Sequence, residues 1–511
     1  MGFLTGSSYE RLNWIHRWVA RCMFITASIH MGYFFKLWDF YLFRDKKLEG
    51  DIISRRGLGA YCILIWIMFS SVAPIRNLCY EVFVIQHAIS YIGFITMVVL
   101  HVPVKALNWI WVPIALFFTD RLVRTLYILY NNFSIFHPTS ASPGSIITCK
   151  ATFTALPDRA TLVTIPNPPF RWSPGQHVFL SCPTLLPLQS HPFTITSLPS
   201  DKSCDFIIRA HRGGTHRLFR YASSSLPPVT SNGVFIDGPY GRIRPLEQFD
   251  TVVLIAGSTG ATFTVPLLRD LVRRYQEVKE GKGKRLVTQK VKFVWVVKNR
   301  NQVGWFARAL QETLEAMEQV KEHEGEGGLV VEMSVYITCD DTLTSEHGLF
   351  EPDSSSSISS PNSRDTDIPS ESSDEKPKLC GGDRCCCINI VLEAKDGDDK
   401  ITSTTPTKPV CTCGMPVSPT PTNTHPTPRP TLHSLLSLPP CTTIKTGRPA
   451  IRSLINKELE QSRGEAAVAV CGPKGLIELV RHEVVGLCDE RAVCKGSGAM
   501  GVYLHTEGFG W

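Results

Sequence analysis

One spacing occurs twice in this chain and constrains it more than any other feature. His16 and His30 are 14 residues apart within RLNWIHRWVARCMFITASIHMGYFFKLW, and His87 and His101 are 14 apart within YEVFVIQHAISYIGFITMVVLHVP. Both stretches are apolar and long enough to cross most of a bilayer as helices. Fourteen residues make nearly four turns, so each pair shares roughly one face, with about 21 Å between its members along the axis. Two such helices running parallel would present two histidines at one depth and two at another. Each level can supply both axial ligands of a haem, because neutral imidazole is a common iron ligand. A single histidine in an apolar helix is more often a core residue than a ligand. Four of them, in two equal spacings at membrane depth, favour ligation, since ionisable groups there are costly and usually functional. The expected metal ligands are therefore His16, His30, His87 and His101, holding two haems stacked across a membrane.

Hydropathy draws four apolar segments, about 13–36, 57–74, 80–102 and 106–119. The fourth is short for a span, and its aromatics suit an interface. One helix separates the two histidine helices, so they run in the same direction. His16 then pairs with His87 and His30 with His101. With the following soluble domains in the cytosol, the first pair is the inner level and the second the outer. Positive charge supports this orientation only weakly. Arg11, Arg17, Arg21, Arg76, Arg121 and Arg124 fall inside, while Lys36, Arg44, Lys46, Lys47, Arg55 and Arg56 fall outside. The chain begins almost directly before the first histidine helix, so an upstream part is expected to be missing.

The remaining chain reads as soluble, and 511 residues exceed one domain. A net charge of +7 without a basic stripe interleaved with aromatics argues against nucleic acid as a partner. Of 17 cysteines, seven (380, 385, 386, 387, 411, 413 and 441) fall in one tract rich in Ser, Pro, Thr and Asp. That tract, about 342–446, cannot bury enough apolar area to fold and is expected to be a disordered insert with simple unpaired cysteines.

Between about 145 and 245, short β-rich runs broken by Pro and Gly suggest an antiparallel barrel. Four short patterns occur there in order: PGQH at 174–177, HPFT at 191–194, Arg209 followed by Gly213-Gly214-Thr215, and GPYG at 238–241. From about 246 the pattern changes. TVVLIAGSTGATFTVPLLRDLVRRY (251–275) reads as buried strand, Gly turn and helix, which places helix N-terminal amides beside the turn as a phosphate site. KVKFVWVVKNR (290–300) is a second strand with Lys298 and Arg300 at its carboxyl end, where positive charge would suit the 2′-phosphate of NADPH over NADH. AAVAVCGPKGL (466–476) is another strand, ending in Cys471-Gly472-Pro473, and the chain closes on VYLHTEGFGW.

The ordered set PGQH, HPFT, RxxxGGT and GPYG resembles the flavin domain of the ferredoxin–NADP reductase superfamily. The membrane histidines narrow the resemblance to the ferric reductase and NADPH oxidase group, and HPFT with CGP and a terminal FGW fits the fungal ferric-chelate reductase branch. The resemblance implies a six-stranded barrel holding FAD. His191, Pro192, Phe193 and Thr194 match its flavin motif, with the Thr194 hydroxyl near the reactive ring nitrogen. Arg209 would face the pyrophosphate, and Gly213, Gly214 and Thr215 would bring backbone amides to the phosphates. Gly257, Gly260, Thr262 and Pro266 match the family's GGxGxTxxxP element, with Ser258 standing where a glycine is usual. Gly472 and Pro473 match the CGP element, which sets Cys471 beside the nicotinamide, and Trp511 would cover the flavin until nicotinamide displaces it.

The fold implied is multi-domain. An α-helical transmembrane haem bundle (1–130) precedes an antiparallel β-barrel FAD domain (145–245) and an α/β nucleotide-binding domain (246–511) carrying the insert. The activity implied is electron transfer from cytosolic NADPH through FAD and two b-type haems to ferric chelates or siderophores, with cupric ions a further candidate, at the plasma membrane. A functional link to an iron permease or multicopper oxidase goes with it. A superoxide-generating NADPH oxidase shares every cofactor and differs only in its acceptor. A degenerate, non-catalytic membrane paralogue is the alternative that Ser258 and the missing spans would favour.

Overall fold

The computed structural model describes residues 12–137, 146–187, 189–224, 231–283, 286–321, 328–339, 442–488 and 498–508. Two compact units are present. One holds the chain to Cys149 with His177–Leu180 and Phe235–Arg242, and the other holds the remainder.

The first unit is built on four long helices: α1 Asn13–Phe40, α2 Ile52–Ser70, α3 Tyr80–His101 and α4 Asn108–Asn132. The Asp51 side chain starts α2 by accepting from the Ile53 amide at 3.1 Å, a standard N-cap. The α2 helix and Val82–His101 of α3 are long and apolar enough to cross a membrane. Small residues let these two helices close up. A Cβ built on Gly59 would lie 3.8 Å from Met97 Sδ, and one on Gly93 would lie 3.7 Å from Ile63 Cδ1. The α1 helix leans on α2 through Phe24 stacked on Tyr61, whose hydroxyl is 2.9 Å from Ser28 Oγ. Large apolar side chains such as Trp18, Ile29, Ile85, Ile92 and Phe118 stay exposed, as on a surface that faces lipid rather than water.

The fourth helix corrects the hydropathy pattern. Apolar character ends near residue 119, yet the helix runs on to Asn132 through Asp120, Arg121 and Arg124. A helix needs its backbone bonds, not continuous apolarity. The second half, which carries these three charges among apolar residues, buries Asn131 and Asn132 at its end.

Residues 150–240 supply strands β1 Lys150–Leu156, β2 Ala160–Pro166, β3 His177–Ser181, β4 His191–Thr194 and β5 Ser203–Arg209. They also supply helix α5 Gly214–Ser224 and strands β6 Asn232–Gly233 and β7 Phe235–Tyr240. One antiparallel sheet has the order β5-β2-β1-β6, and in another β3 neighbours β7. The strands expected of the flavin domain are therefore present, divided between two sheets. The register Ala160↔Arg209 brings Arg209 beside the β1–β2 turn at Pro157–Arg159. The strand that leads into the Gly-Gly-Thr pattern ends at Arg209. Gly213 turns the chain with φ +77°, and Thr215 to Phe219 are helical.

The second unit also contains a six-stranded parallel sheet. Its strands are β8 Thr251–Gly257, β9 Lys290–Val297, β10 Val330–Ile337, β11 Thr443–Thr446, β12 Glu465–Gly472 and β13 Gly501–Gly508. The order is β11-β10-β9-β8-β12-β13. Helices α6 Ala261–Lys279, α7 Ala307–Lys321, α8 Ile451–Gln461 and α9 Lys474–Leu487 cover it. Alternate β8 residues serve opposite faces. Val252, Leu254 and Ala256 pack with α6 and α7, while Val253 and Ile255 pack with α8 and α9. Near-continuous apolar strands follow from burial on both faces. Thr443–Thr446, counted in sequence within the disordered insert, is a strand paired in parallel with Ser334–Ile337. Its residues TIKT are too polar to signal a strand, because an edge position buries little. The cysteine-rich remainder of the insert lies outside the described residues.

Candidate functional site

The four membrane histidines form two facing pairs. The rings of His16 and His87 have centres 6.3 Å apart with planes at 77°, and those of His30 and His101 are 6.5 Å apart at 78°. Two imidazoles on opposite sides of one metal have ring centres roughly 6 Å apart, from two metal–nitrogen bonds of about 2 Å and about 1 Å from each nitrogen to its ring centre. The observed gaps match that separation and are too wide for a direct hydrogen bond between rings. On α3 the other nitrogens are engaged. His101 Nδ1 is 2.9 Å from the Ile53 carbonyl, and His87 Nδ1 is 3.4 Å from Ser71 Oγ. Such outer contacts fix ring orientation and leave Nε2 for a metal.

Gly57 makes room for one of these rings. A Cβ there would lie 2.5 Å from His101 Cε1 and 2.8 Å from its Nδ1. Gly57→Val is expected to displace the His101 ring and lower bound haem roughly 10–100-fold in affinity, as loss of a ligand's outer support does. Titrating haem into membranes of the variant measures this, and wild-type affinity would disprove the packing role.

In the flavin motif, His191–Thr194 is strand β4 and all four side chains are half-buried. Gly214 touches this motif directly. A Cβ on it would lie 2.9 Å from Gln189 Oε1 and 3.3 Å from His191 Nε2. Gly213 has open space around it, and Thr215 Oγ1 accepts from the His211 amide at 2.9 Å at the start of α5. The HPFT and Gly-Gly-Thr patterns are thus adjacent at the start of α5. Burial holds the His191 imidazole below its usual pKa of 6.5. The unfolded chain therefore takes the proton first, and stability falls as pH drops through about 6.5 toward the depressed folded value. His191→Gln is expected to flatten that part of the stability–pH curve, and melting temperatures at pH 5.5 and 7.5 provide the check.

Arg209 lies at the end of β5. Its Nη2 is 3.5 Å from Asp158 Oδ2, and its Nη1 makes a long 3.4 Å bond to Ser258 Oγ. Ser258 occupies the left-handed region at φ +52°, a conformation costing a non-glycine residue roughly 1–2 kcal/mol. The Trp295 indole donates to its carbonyl at 2.9 Å and holds it there. Its hydroxyl also donates to the fully buried Gln302 at 3.4 Å. So serine at this glycine-type position keeps the glycine backbone shape and gains side-chain contacts.

The strand order reverses between β8 and β12, the place where doubly wound sheets bind nucleotides. Their carboxyl ends meet through glycines. A Cβ on Gly260 would lie 2.0 Å from the Cys471 carbonyl oxygen, one on Gly257 2.8 Å from Pro473 Cδ, and one on Gly472 3.1 Å from Gly257 Cα. Thr262, Pro266 and Cys471 are buried, Cys471 completely, so they shape the turn from beneath. Lys298 follows β9, its amide donating to Gln302 Oε1 at 3.2 Å, and Arg300 opens the next turn, exposed. Trp511 lies outside the described residues. Asp158 and Gln302 escape motif reading. Gln302 Nε2 donates to Asp158 Oδ2 at 2.5 Å, and Trp305 Nε1 to the Pro157 carbonyl at 2.9 Å. The available signal is Pro157-Asp158-Arg159, a turn with positive φ at both Asp158 and Arg159.

Three family descriptions match the chain in order. Residues 1–98 match a ferric reductase like transmembrane component, 148–244 an FAD-binding domain, and 249–485 a ferric reductase NAD binding domain. A probable cell surface ferric reductase kap2 of Aspergillus oryzae is 29% identical over 329 residues, covering 61% of this chain and 42% of that protein. Ferric reductase transmembrane component 3 of Saccharomyces cerevisiae is 30% identical, covering 50% and 35%. NADPH oxidase 1 of Mus musculus is 25% identical, covering 43% and 33%. The chain spans less than half the length of each of these relatives.

Proposed function

This chain belongs to the ferric reductase family, and from that premise we propose that it moves electrons from NADPH, through FAD and two b-type haems, to ferric chelates across a membrane. The observation that carries the reading is the pair of histidine gaps, 6.3 and 6.5 Å, each suited to one bis-imidazole iron. The cofactors supply the redox chemistry, in which two electrons arrive as a hydride and leave singly. The protein's part is to hold and orient. His16 and His87 would hold the inner haem, His30 and His101 the outer. Arg209, now beside Asp158, would hold the FAD pyrophosphate together with the α5 amides, and Thr194 would meet the flavin ring. Gly257, Gly260 and Gly472 form the floor of the nucleotide crevice, with Cys471 packed below it.

The helices span the plasma membrane with the flavin and nucleotide domains in the cytosol. A reduced-minus-oxidised spectrum of membranes should show b-type haem that NADPH reduces, and its absence would end this reading. The mouse relative's name, NADPH oxidase 1, supports a second reading in which dioxygen is the acceptor. Reduction of ferric chelate that superoxide dismutase abolishes would favour that second reading, and insensitivity favours direct metal reduction.

Lys298 and Arg300 follow the carboxyl end of β9, where positive charge would suit the 2′-phosphate of NADPH. Arg300→Ser is expected to raise KM for NADPH about tenfold and leave KM for NADH nearly unchanged, since a charge-assisted bond contributes about 1.5–3 kcal/mol. Steady-state kinetics with both nucleotides decide it, and an equal effect on both would remove Arg300 from this role.

A further inference from the structure

Helix α4 grips strand β7 through two side chains that no motif contains. Asn132 is fully buried. Its Oδ1 accepts from the Ile236 amide at 2.7 Å, and its Nδ2 donates to the Ile236 carbonyl at 2.7 Å. One side-chain amide thus replaces both ladder bonds that a neighbouring strand would give this residue. Its own carbonyl accepts from Thr148 N at 2.9 Å, which ties the connecting segment to the same point. Two turns earlier on α4, Arg124 donates through Nε, at 2.9 Å, and through Nη2 to Asp237 Oδ2. The other Asp237 oxygen accepts from the Tyr240 hydroxyl at 2.5 Å. Burial first, then the Asp237 carboxylate, raises the phenol's pKa, so Tyr240 stays a donor. Ile236, Asp237 and Tyr240 belong to the IDGPYG stretch of the flavin barrel.

Buried hydrogen bonds of this kind are expensive to leave half-made. They are also directional, and a clamp with two attachment points fixes both position and rotation. The α4 helix follows directly on α3, which carries His87 and His101. We propose that Asn132 and Arg124 are positioning residues that set the flavin strand against the membrane helices, so that electron passage from flavin to the inner histidine pair depends on them while hydride delivery to flavin does not. This rests on the electron path proposed above.

The test uses the full chain in membranes carrying FAD and haem. Asn132→Leu keeps side-chain size and removes both bonds. It is expected to slow NADPH-driven haem reduction by about tenfold to a hundredfold, the scale of an ångström misplacement. NADPH reduction of a water-soluble dye through the flavin should change less than about twofold, which is the range of ordinary variation in such effects. Hydrogen exchange at the Ile236 amide should accelerate in the same variant, and FAD content should hold. Arg124→Lys, which keeps charge but not the fork, should show a smaller selective loss. Parallel loss of dye and haem reduction in both variants, or no change in either, overturns the proposal. If Asn132→Leu loses FAD, Arg124→Lys decides alone, with unchanged haem reduction counting against it. Lack of NADPH-driven haem reduction in the unsubstituted chain removes the underlying reading itself, and the proposal with it.

Discussion

Replacing His30 by alanine is expected to abolish the proposed ferric-chelate reduction on the far side while NADPH still reduces FAD. The ring of His30 stands 6.5 Å from that of His101, and alanine leaves His101 facing an empty level. Losing a first ligand should exceed the roughly 10–100-fold that loss of an outer contact costs. The reduced-minus-oxidised spectrum should then lose about half its haem amplitude, one level of two. The inner pair, His16 with His87, keeps its own contacts and its signal. Retention of both haems in the variant would refute the pairing.

Gly260→Ala should disable the nucleotide domain through packing alone. The added methyl would stand 2.0 Å from the Cys471 carbonyl oxygen and 2.6 Å from its carbonyl carbon. Both are main-chain atoms in the central sheet, so no side chain can swing aside. Overpacking in a core costs typically about 1–3 kcal/mol, and this backbone clash belongs at the upper end or beyond. Gly475→Ala is the control, since nothing lies within 4 Å of a Cβ there and it is within a helix. It should be neutral or slightly stabilising. Denaturant unfolding of both variants and their NADPH-dependent flavin reduction test this, and a Gly260→Ala protein as stable as the control would contradict the close approach.

Much of the architecture is legible in the sequence because its rules are periodic. Helical rise fixes that residues 14 apart share a face, so the facing of His16 with His87 and His30 with His101 needs only parallel helices. The strand–turn–helix at 251–275 is legible for the same reason, as is the ordered flavin motif. What escapes is whatever depends on partners distant in sequence. The Asn132–Ile236 bonds join residues 104 apart, and an asparagine at a helix end looks like ordinary punctuation. The second half of α4 hides behind Asp120, Arg121 and Arg124, which interrupt the apolar run. Ser258 reads as a departure from a glycine motif until Trp295 and Gln302 are seen holding it. The helix at Gly214–Ser224 is masked by the apolar β5 residues that lead into it.

The pairing of β10 with β11 bears on how this protein can change over time. Ser334 aligns with Thr443 and Ile337 with Thr446, so the chain leaves the sheet edge and rejoins it in parallel on the adjacent track. A parallel return needs only about a dozen residues of crossover. Each doubling beyond that adds about 0.6 kcal/mol of closure entropy, so a connection of roughly a hundred residues costs only about 2 kcal/mol more. The sheet edge is therefore a port where length is nearly free. Alternative splicing, tandem duplication or wholesale trimming there would leave the glycine-lined crevice between β8 and β12 untouched, and lineages are free to lengthen or erase that stretch without disturbing it.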